Sequence, residues 1–203
     1  MEDFAKIIKR MNAIADSGLI YAKDIFDRER YTELKELASD LTENLTDLSK
    51  CELTEAFRPT AYYPTPMIDV RAFVRDEAGR ILLICDKVRG DWAMPGGYGE
   101  IGLTAKEDVL KELLEEAGLT GKVNRLLAVF DTEKWQPQAR QYYKFVFECS
   151  VISGEFTENS ETTESRFFDF VDLSNLNLSE HRNTYAQFEL LEKLAKENKQ
   201  HID

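Results

Sequence analysis

The stretch MPGGYGEIGLTAKEDVLKELLEEAGL, residues 94–119, constrains this chain more than any other. Thr104 followed three residues later by Glu107 has the form of a capping box, in which each side chain satisfies the other's free backbone N–H. A helix is therefore expected to begin near Ala105. Gly118 suits the left-handed residue that stops it, leaving about thirteen helical residues. At ~100° per residue, Val109, Leu110, Leu113, Leu114 and Ala117 share one face. Asp108, Glu112, Glu115 and Glu116 share the opposite face. Glu112 and Glu116 stand one turn apart with Glu115 beside them, and like charges so spaced repel by roughly 0.2–0.5 kcal/mol per pair in an isolated helix. A solvated acidic face would tolerate that repulsion. The residues ahead of the helix call for something more. Pro95-Gly96-Gly97 permits positive φ and close backbone approach, which a solvated helix does not require. Three carboxylates on one face suit a hard divalent cation, Mg²⁺ or Mn²⁺.

The flanks read as α/β. Ile68, Val70, Ala72 and Val74 alternate with Asp69, Arg71, Phe73 and Arg75, the pattern of a half-buried strand. A turn at residues 76–79 and a short apolar strand at 81–85 make a hairpin with it. Further strands are expected at 126–130, at 142–152 with Phe145, Phe147, Cys149 and Val151 on one face, and at 166–171. A closing helix spans roughly residues 182–197, with Phe188, Leu191 and Leu194 inward. Residues 1–57 read as a helical extension. Phe4, Ile7, Ile8, Met11 and Ile14 recur at helical spacing, Asp16-Ser17-Gly18 interrupts them, and a second helix covers 24–44 with Ile25, Tyr31, Leu34, Leu37 and Leu41. The extension is expected to be a cap or a dimerisation arm, making the protein a homodimer. Residues 58–66, RPTAYYPTP, hold three of the five prolines and read as a linker, so the α/β domain is placed at 67–203.

Composition narrows the function. The formal charge of −12, from 26 basic and 38 acidic residues, opposes broad binding of nucleic acid or anionic membrane. No apolar run approaches the ~20 residues of a membrane span. Cys51, Cys85 and Cys149 are isolated and odd in number, so neither a disulfide framework nor a zinc spacing follows, and a cytoplasmic setting is expected. With only His181 and His201, His-rich metal sites and His-based triads are disfavoured.

Gly97, followed at fixed spacing by Lys111-Glu112-Leu113-Leu114-Glu115-Glu116-Ala117-Gly118-Leu119, resembles the box of the Nudix hydrolase superfamily without insertion. The resemblance implies an α/β/α sandwich around a mixed sheet. Leu103 stands where the family has its first Glu and Lys111 where it has Arg, and Lys cannot reproduce a planar bidentate contact. The metal set maps onto Glu112, Glu115 and Glu116, together with Gly97. Residues 18–37, 131–137 and 182–184 are similar to a bacterial subgroup with a helical N-terminal extension, which includes CDP-choline, UDP-linked and ADP-ribose pyrophosphatases.

The resemblance implies metal-dependent hydrolysis of a nucleoside diphosphate linked to a moiety X, giving a nucleoside monophosphate and X-phosphate. Glu112, Glu115 and Glu116 are the expected catalytic acids. The loop GEFTENSETTESRFF offers Glu155, Glu158, Glu161 and Glu164 as base or further ligand, with Glu161 and then Glu164 favoured by their distance to the following aromatic strand. Gly96 and Gly97 would approach the substrate through backbone. Arg71 would either meet a phosphate or form a surface ion pair with Asp69. Lys134 is a further phosphate candidate, with Lys87, Arg89 and Arg140 weaker, and Trp92, Tyr98 and Trp135 could stack on a base. The alternative is a non-catalytic Nudix-fold sensor that binds a nucleotide to control a partner, although no recognition helix for DNA is evident in the N-terminal segment.

Overall fold

A computed structural model describes residues 2–45, 62–138 and 140–203, and the side chains of all of these except 2–6 and 44–45. Cys51, the side chain of Phe4 and the first part of the expected linker at 58–66 lie outside the described residues. The chain divides into two compact units, Met1–Pro66 with Pro137–Gln141, and Met67–Gln136 with Tyr142–Asp203.

In the first unit, α1 (Glu2–Tyr21) and α2 (Ile25–Leu45) fold back on each other. Ile8, Ala15 and Ala38 are buried between them. The interruption expected at Asp16-Ser17-Gly18 does not occur. Ser17 Oγ donates back to Ala13 O at 2.7 Å, Asp16 pairs with Lys35 of α2, and a Cβ at Gly18 would strike the ring of Tyr31. Ser17 thus bonds within α1, while Asp16 and Gly18 face α2, and the helix runs on unbroken. Ile7, Ile14 and Leu37 remain about half exposed, and Tyr21, Ile25 and Phe26 about two-thirds. Among the described residues, no helix is long and apolar enough to cross a membrane.

The second unit is a mixed α/β structure. Its strands are β1 (Met67–Val74), β2 (Ile81–Asp86), β3 (Trp92–Ala93), β4 (Leu119–Asp131), β5 (Tyr142–Gly154), β6 (Thr162–Phe168) and β7 (His201–Ile202). They form a four-stranded sheet in the order β1-β5-β4-β7 and a three-stranded sheet in the order β3-β2-β6. Three helices accompany them: α3 (Ala105–Ala117), the one-turn α4 (Thr132–Trp135) and α5 (Tyr185–Glu197). One core packs Val109, Leu113 and Ala117 of α3 against Val70, Ala72, Leu82, Ile84 and Phe147. Another packs Phe188, Leu191 and Leu194 of α5 against Phe73, Leu83, Leu127, Phe130 and Val146.

Helices on both sides account for the corrections to the strand pattern. From Val70 onward β1 is buried on both faces rather than half-buried, because alternate residues feed the two cores. The expected hairpin is reduced to one antiparallel bridge, Arg75 with Ile81, and goes no further. The turn exists, with Asp76 Oδ1 accepting Ala78 N and Arg80 N, but β1 pairs in parallel with β5 while β2 joins the other sheet. β4 extends well beyond the expected 126–130, and the strand expected at 166–171 is shifted back to Thr162–Phe168, followed by a 3₁₀ turn at Phe170–Asn175. The closing helix starts at Tyr185, where Thr184 and Gln187 form a second capping box.

Candidate active site

The capping box of Thr104 with Glu107 opens α3 at Ala105, and Gly118 closes it at φ 69°, as the sequence requires. The apolar face differs in one member: Leu114 is 52% exposed, while Asp108 and Glu116, expected on the solvated face, are buried. Both acids are turned toward the loop that precedes the helix. Residues 95–99 lie along β1 through backbone bonds: Ala72 N to Pro95 O at 2.8 Å, Val70 N to Gly97 O at 2.8 Å and Gly99 N to Ile68 O at 3.0 Å. Gly96 has φ 148°, and a Cβ there would collide with Val70 O and the backbone of Arg71. Its N–H donates to Glu116 Oε2 at 2.7 Å. A Cβ on Gly97 would stand 2.5 Å from Glu112 Oε1. The two glycines thus let the loop backbone reach the two carboxylates directly.

Electrostatics set these two acids apart. Burial, with repulsion from Glu116 behind it, pushes the Glu112 carboxyl up to about 7, against the pull of Arg71 and Lys111. Burial also raises Glu116, opposed by the Gly96 N–H, Arg71 and Arg182, with Glu161 adding to the rise. Glu115 lies elsewhere. Its side chain is about half exposed and pairs with Lys111 Nζ at 2.8 Å. Lys111 also reaches Glu100 at 2.9 Å, and Asp108 Oδ2 accepts the Glu100 N–H at 2.8 Å. These bonds hold the loop in a chain that has Leu103 and Lys111 at the two departing positions.

A crowded pair of carboxylates, one of them poised near neutrality, with a backbone cradle that only glycine permits, fits a hard cation. As the side chains stand, no group of three His, Cys, Asp or Glu among the described residues is gathered closely enough to hold an ion, and Glu115 is engaged by Lys111.

The remaining sequence candidates are dispersed. Glu161 is exposed, with its backbone N–H on Asn159 Oδ1, and its charge reaches Glu116. Glu164 lies within β6 and pairs with Arg166. Arg71 pairs with Asp69, as one of the two expectations had it, but in the interior rather than at the surface. It is buried, with Nε on Asp69 Oδ1 at 2.8 Å, Nη2 on Asp69 Oδ2 at 2.6 Å and Nη1 on Gly96 O at 2.7 Å. Trp92 packs edge-on against Phe168, with ring centroids 4.8 Å apart. Trp135 Nε1 donates to Asp203 Oδ2 at 2.8 Å, and Lys134 lies 3.6 Å from the same carboxylate. Tyr98 stacks on Tyr142 at 5.5 Å and is more than half exposed beside the glycine loop.

Sequence reasoning passed over Lys144. It is fully buried on β5, opposite Asp69, with Nζ on Gln136 Oε1 at 2.9 Å and on the Arg182 carbonyl. Burial lowers its ammonium to about 7, with Arg71 and Arg182 adding to the fall and Asp69 opposing it. The available signal was a lysine on the same strand face as Val146, which belongs to a core.

Comparison with known proteins agrees with the box. The NUDIX domain profile matches residues 65–191. The chain is a Nudix hydrolase. A second profile, described as a UDP-X-like N-terminal oligomerisation domain, matches residues 2–57. A crystal structure of a UDP-X diphosphatase is 44% identical, covers 99% of this chain and 98% of that one, and superposes with a TM-score of 0.67. YjhB of Bacillus subtilis (strain 168), provisionally named an ADP-ribose pyrophosphatase, is 39% identical over 90% of this chain and 88% of its own. An ADP-ribose pyrophosphatase of Methanocaldococcus jannaschii is 32% identical over 79% of this chain and 85% of its own. Nudix hydrolases generally use divalent metals such as Mg²⁺.

Proposed function

We propose that this Nudix hydrolase is a Mg²⁺- or Mn²⁺-dependent pyrophosphohydrolase that cleaves a nucleoside diphosphate linked to X into nucleoside monophosphate and X-phosphate. ADP-ribose and UDP-X compounds are the leading substrate class, from the names of the relatives. The observation that carries the reading is the Glu112–Glu116 pair pressed against Gly96-Gly97, with the Glu112 carboxyl near 7. Glu112 and Glu116 would hold the cation, joined by Glu115 once it leaves Lys111. The bound metal would supply neutralisation of phosphate charge and a more acidic water. The chain's own residues do the rest. Gly96 N–H fixes the Glu116 carboxylate through one oxygen and leaves the other for the site. Arg71, tied to the Gly96 carbonyl, holds the loop in place from beneath. Glu161, exposed and in electrostatic reach of Glu116, would take a proton from the attacking water.

The helical extension would pair two chains through its exposed apolar residues, Ile7, Ile14 and Leu37 among them. Light scattering on the purified protein reads this directly, and a monomer at micromolar concentration would contradict it. The reaction is tested by incubating the protein with ADP-ribose, CDP-choline, UDP-sugars and oxidised nucleotides, with and without Mg²⁺. Metal-dependent release of a nucleoside monophosphate is expected from at least one of them. Nucleotide binding without turnover across the panel would favour a sensor instead.

A further inference from the structure

The segment 179–184, SEHRNT, leads into α5 and is held from several directions. Ser179 N donates to Trp92 O at 2.8 Å, and Asn183 N donates to Ser179 O at 2.7 Å. Asn183 Oδ1 accepts the Met94 N–H at 3.0 Å, tying the segment to the residue just before Pro95-Gly96-Gly97. From below, the buried Lys144 donates to the Arg182 carbonyl and to Gln136, and Gln136 Nε2 donates to Gln187 Oε1 of α5 at 2.8 Å. A buried lysine is unusual unless its partners fix it. Here it fixes the backbone of one arginine.

That arginine differs from Arg71 in what it has left to offer. Arg182 Nη2 pairs with Asp86 Oδ2 at 2.5 Å. The other oxygen of Asp86 already accepts Val88 N and Arg89 N, each at 2.9 Å. Arg182 Nη1 is a buried donor that meets no acceptor, and Asn183 Nδ2, next in sequence, is another. A guanidinium held by a carboxylate along one edge keeps a second edge for phosphate oxygen. A buried donor with no acceptor is costly until a ligand completes it. The Arg182 charge also acts on the Glu116 carboxyl, and the Asn183–Met94 bond ties its segment to the residue that leads into the glycine loop.

We propose that Arg182 is a substrate-binding residue of the hydrolysis, its Nη1 donating to a phosphate oxygen of the diphosphate on the Glu116 side, and that Lys144 is the positioning residue that holds Arg182 there. The proposal rests on the pyrophosphohydrolase reading above. Inorganic pyrophosphate with Mg²⁺ is the probe, because it carries the phosphate chemistry without base or X. Its affinity is measured by calorimetry for the full chain, R182Q, R182K, K144M and the R182Q/K144M pair, with thermal melts alongside.

R182Q is expected to bind pyrophosphate about 10- to 100-fold more weakly, the worth of one charge-assisted hydrogen bond. R182K should recover part of that loss, because it keeps the charge without the fork. K144M should weaken binding less than R182Q and add nothing to it in the pair, because both act through one contact. Wild-type affinity in R182Q overturns the proposal, and additive losses in the pair overturn the role of Lys144. Should R182Q fail to fold, R182K with an unchanged melt decides: affinity equal to wild type overturns the proposal. No wild-type binding at millimolar pyrophosphate overturns it as well. A wild type that binds pyrophosphate yet hydrolyses nothing in the substrate panel contradicts the reaction instead, and the two failures are told apart.

Discussion

Glu115 and Glu116 are neighbours in sequence and strangers in environment. Glu116 is buried against the Gly96 N–H with its carboxyl raised by desolvation. Glu115 is half exposed and held by Lys111. The difference teaches that an acidic motif is not one electrostatic object. A 100° step around the helix separates a buried carboxylate whose charge is only partly offset by the Gly96 N–H, Arg71 and Arg182 from an exposed one that already has an ammonium partner. The first has the most to gain from a cation, and the second has to give up a contact to join it.

Substitutions break that comparison at graded points. Glu116→Gln should lower metal-dependent turnover by about 10³-fold, the scale for losing a preorganised electrostatic group, with an unchanged melting temperature. Gly97→Ala should come next, at about 10²-fold, because its methyl group displaces the Glu112 carboxylate rather than backbone. Its thermal melt should stay near wild type. Gly96→Ala should do the opposite, costing about 1–3 kcal/mol of stability in urea melts, because φ 148° and the Val70 carbonyl both exclude a side chain. Lys111→Ala should be the mildest change, leaving the thermal melt close to wild type, because Glu100 and Glu115 are both solvent-exposed partners.

The pH dependence sharpens the same contrast. Glu112 has an ordinary value of 4.5 and a folded value of about 7, so the folded chain binds the extra proton in that window. Without metal, the Glu112 contribution to stability should therefore fall as pH rises from about 4.5 to about 7 and level off above, where the buried Lys144 ammonium, lowered to about 7 in the fold, adds a rise of its own. Glu112→Gln should flatten that slope. Millimolar Mg²⁺ should raise the melting temperature most above pH 7, where the carboxylate is ionised, and Glu115→Gln should reduce the metal-free slope far less than Glu112→Gln, because Glu115 is the smallest of the causes acting on Glu112. A metal-free melt that does not change between those limits would count against the crowded pair.

Local chemistry was legible in the sequence and long-range pairing was not. Thr104, Glu107 and Gly118 fix α3 to the residue, because caps are set by neighbours in the chain. The hairpin of β1 with β2 failed because a good turn says nothing of which sheet each strand will join. Gly18 read as a breaker because the ring of Tyr31 that needs its bare backbone lies thirteen residues on. Alternation in β5 drew attention to Phe145, Phe147 and Cys149 and left Lys144 to solvent, an inference that holds only for a sheet with one wet face. Arg71 and Arg182 could not be ranked from sequence either. Which guanidinium has a donor to spare depends on carbonyls and carboxylates distant in the chain.

The central claim is that Glu112 and Glu116, set against Gly96-Gly97, form a cation-dependent hydrolytic site. Its most direct test is nucleoside monophosphate release from ADP-ribose and UDP-sugars by the wild type and Glu116→Gln at matched melting temperature, with Mg²⁺ and with chelator. The account predicts turnover by the wild type in Mg²⁺ alone and a loss of about 10³-fold in the variant. Full activity of Glu116→Gln, or turnover undiminished by chelator, would contradict it.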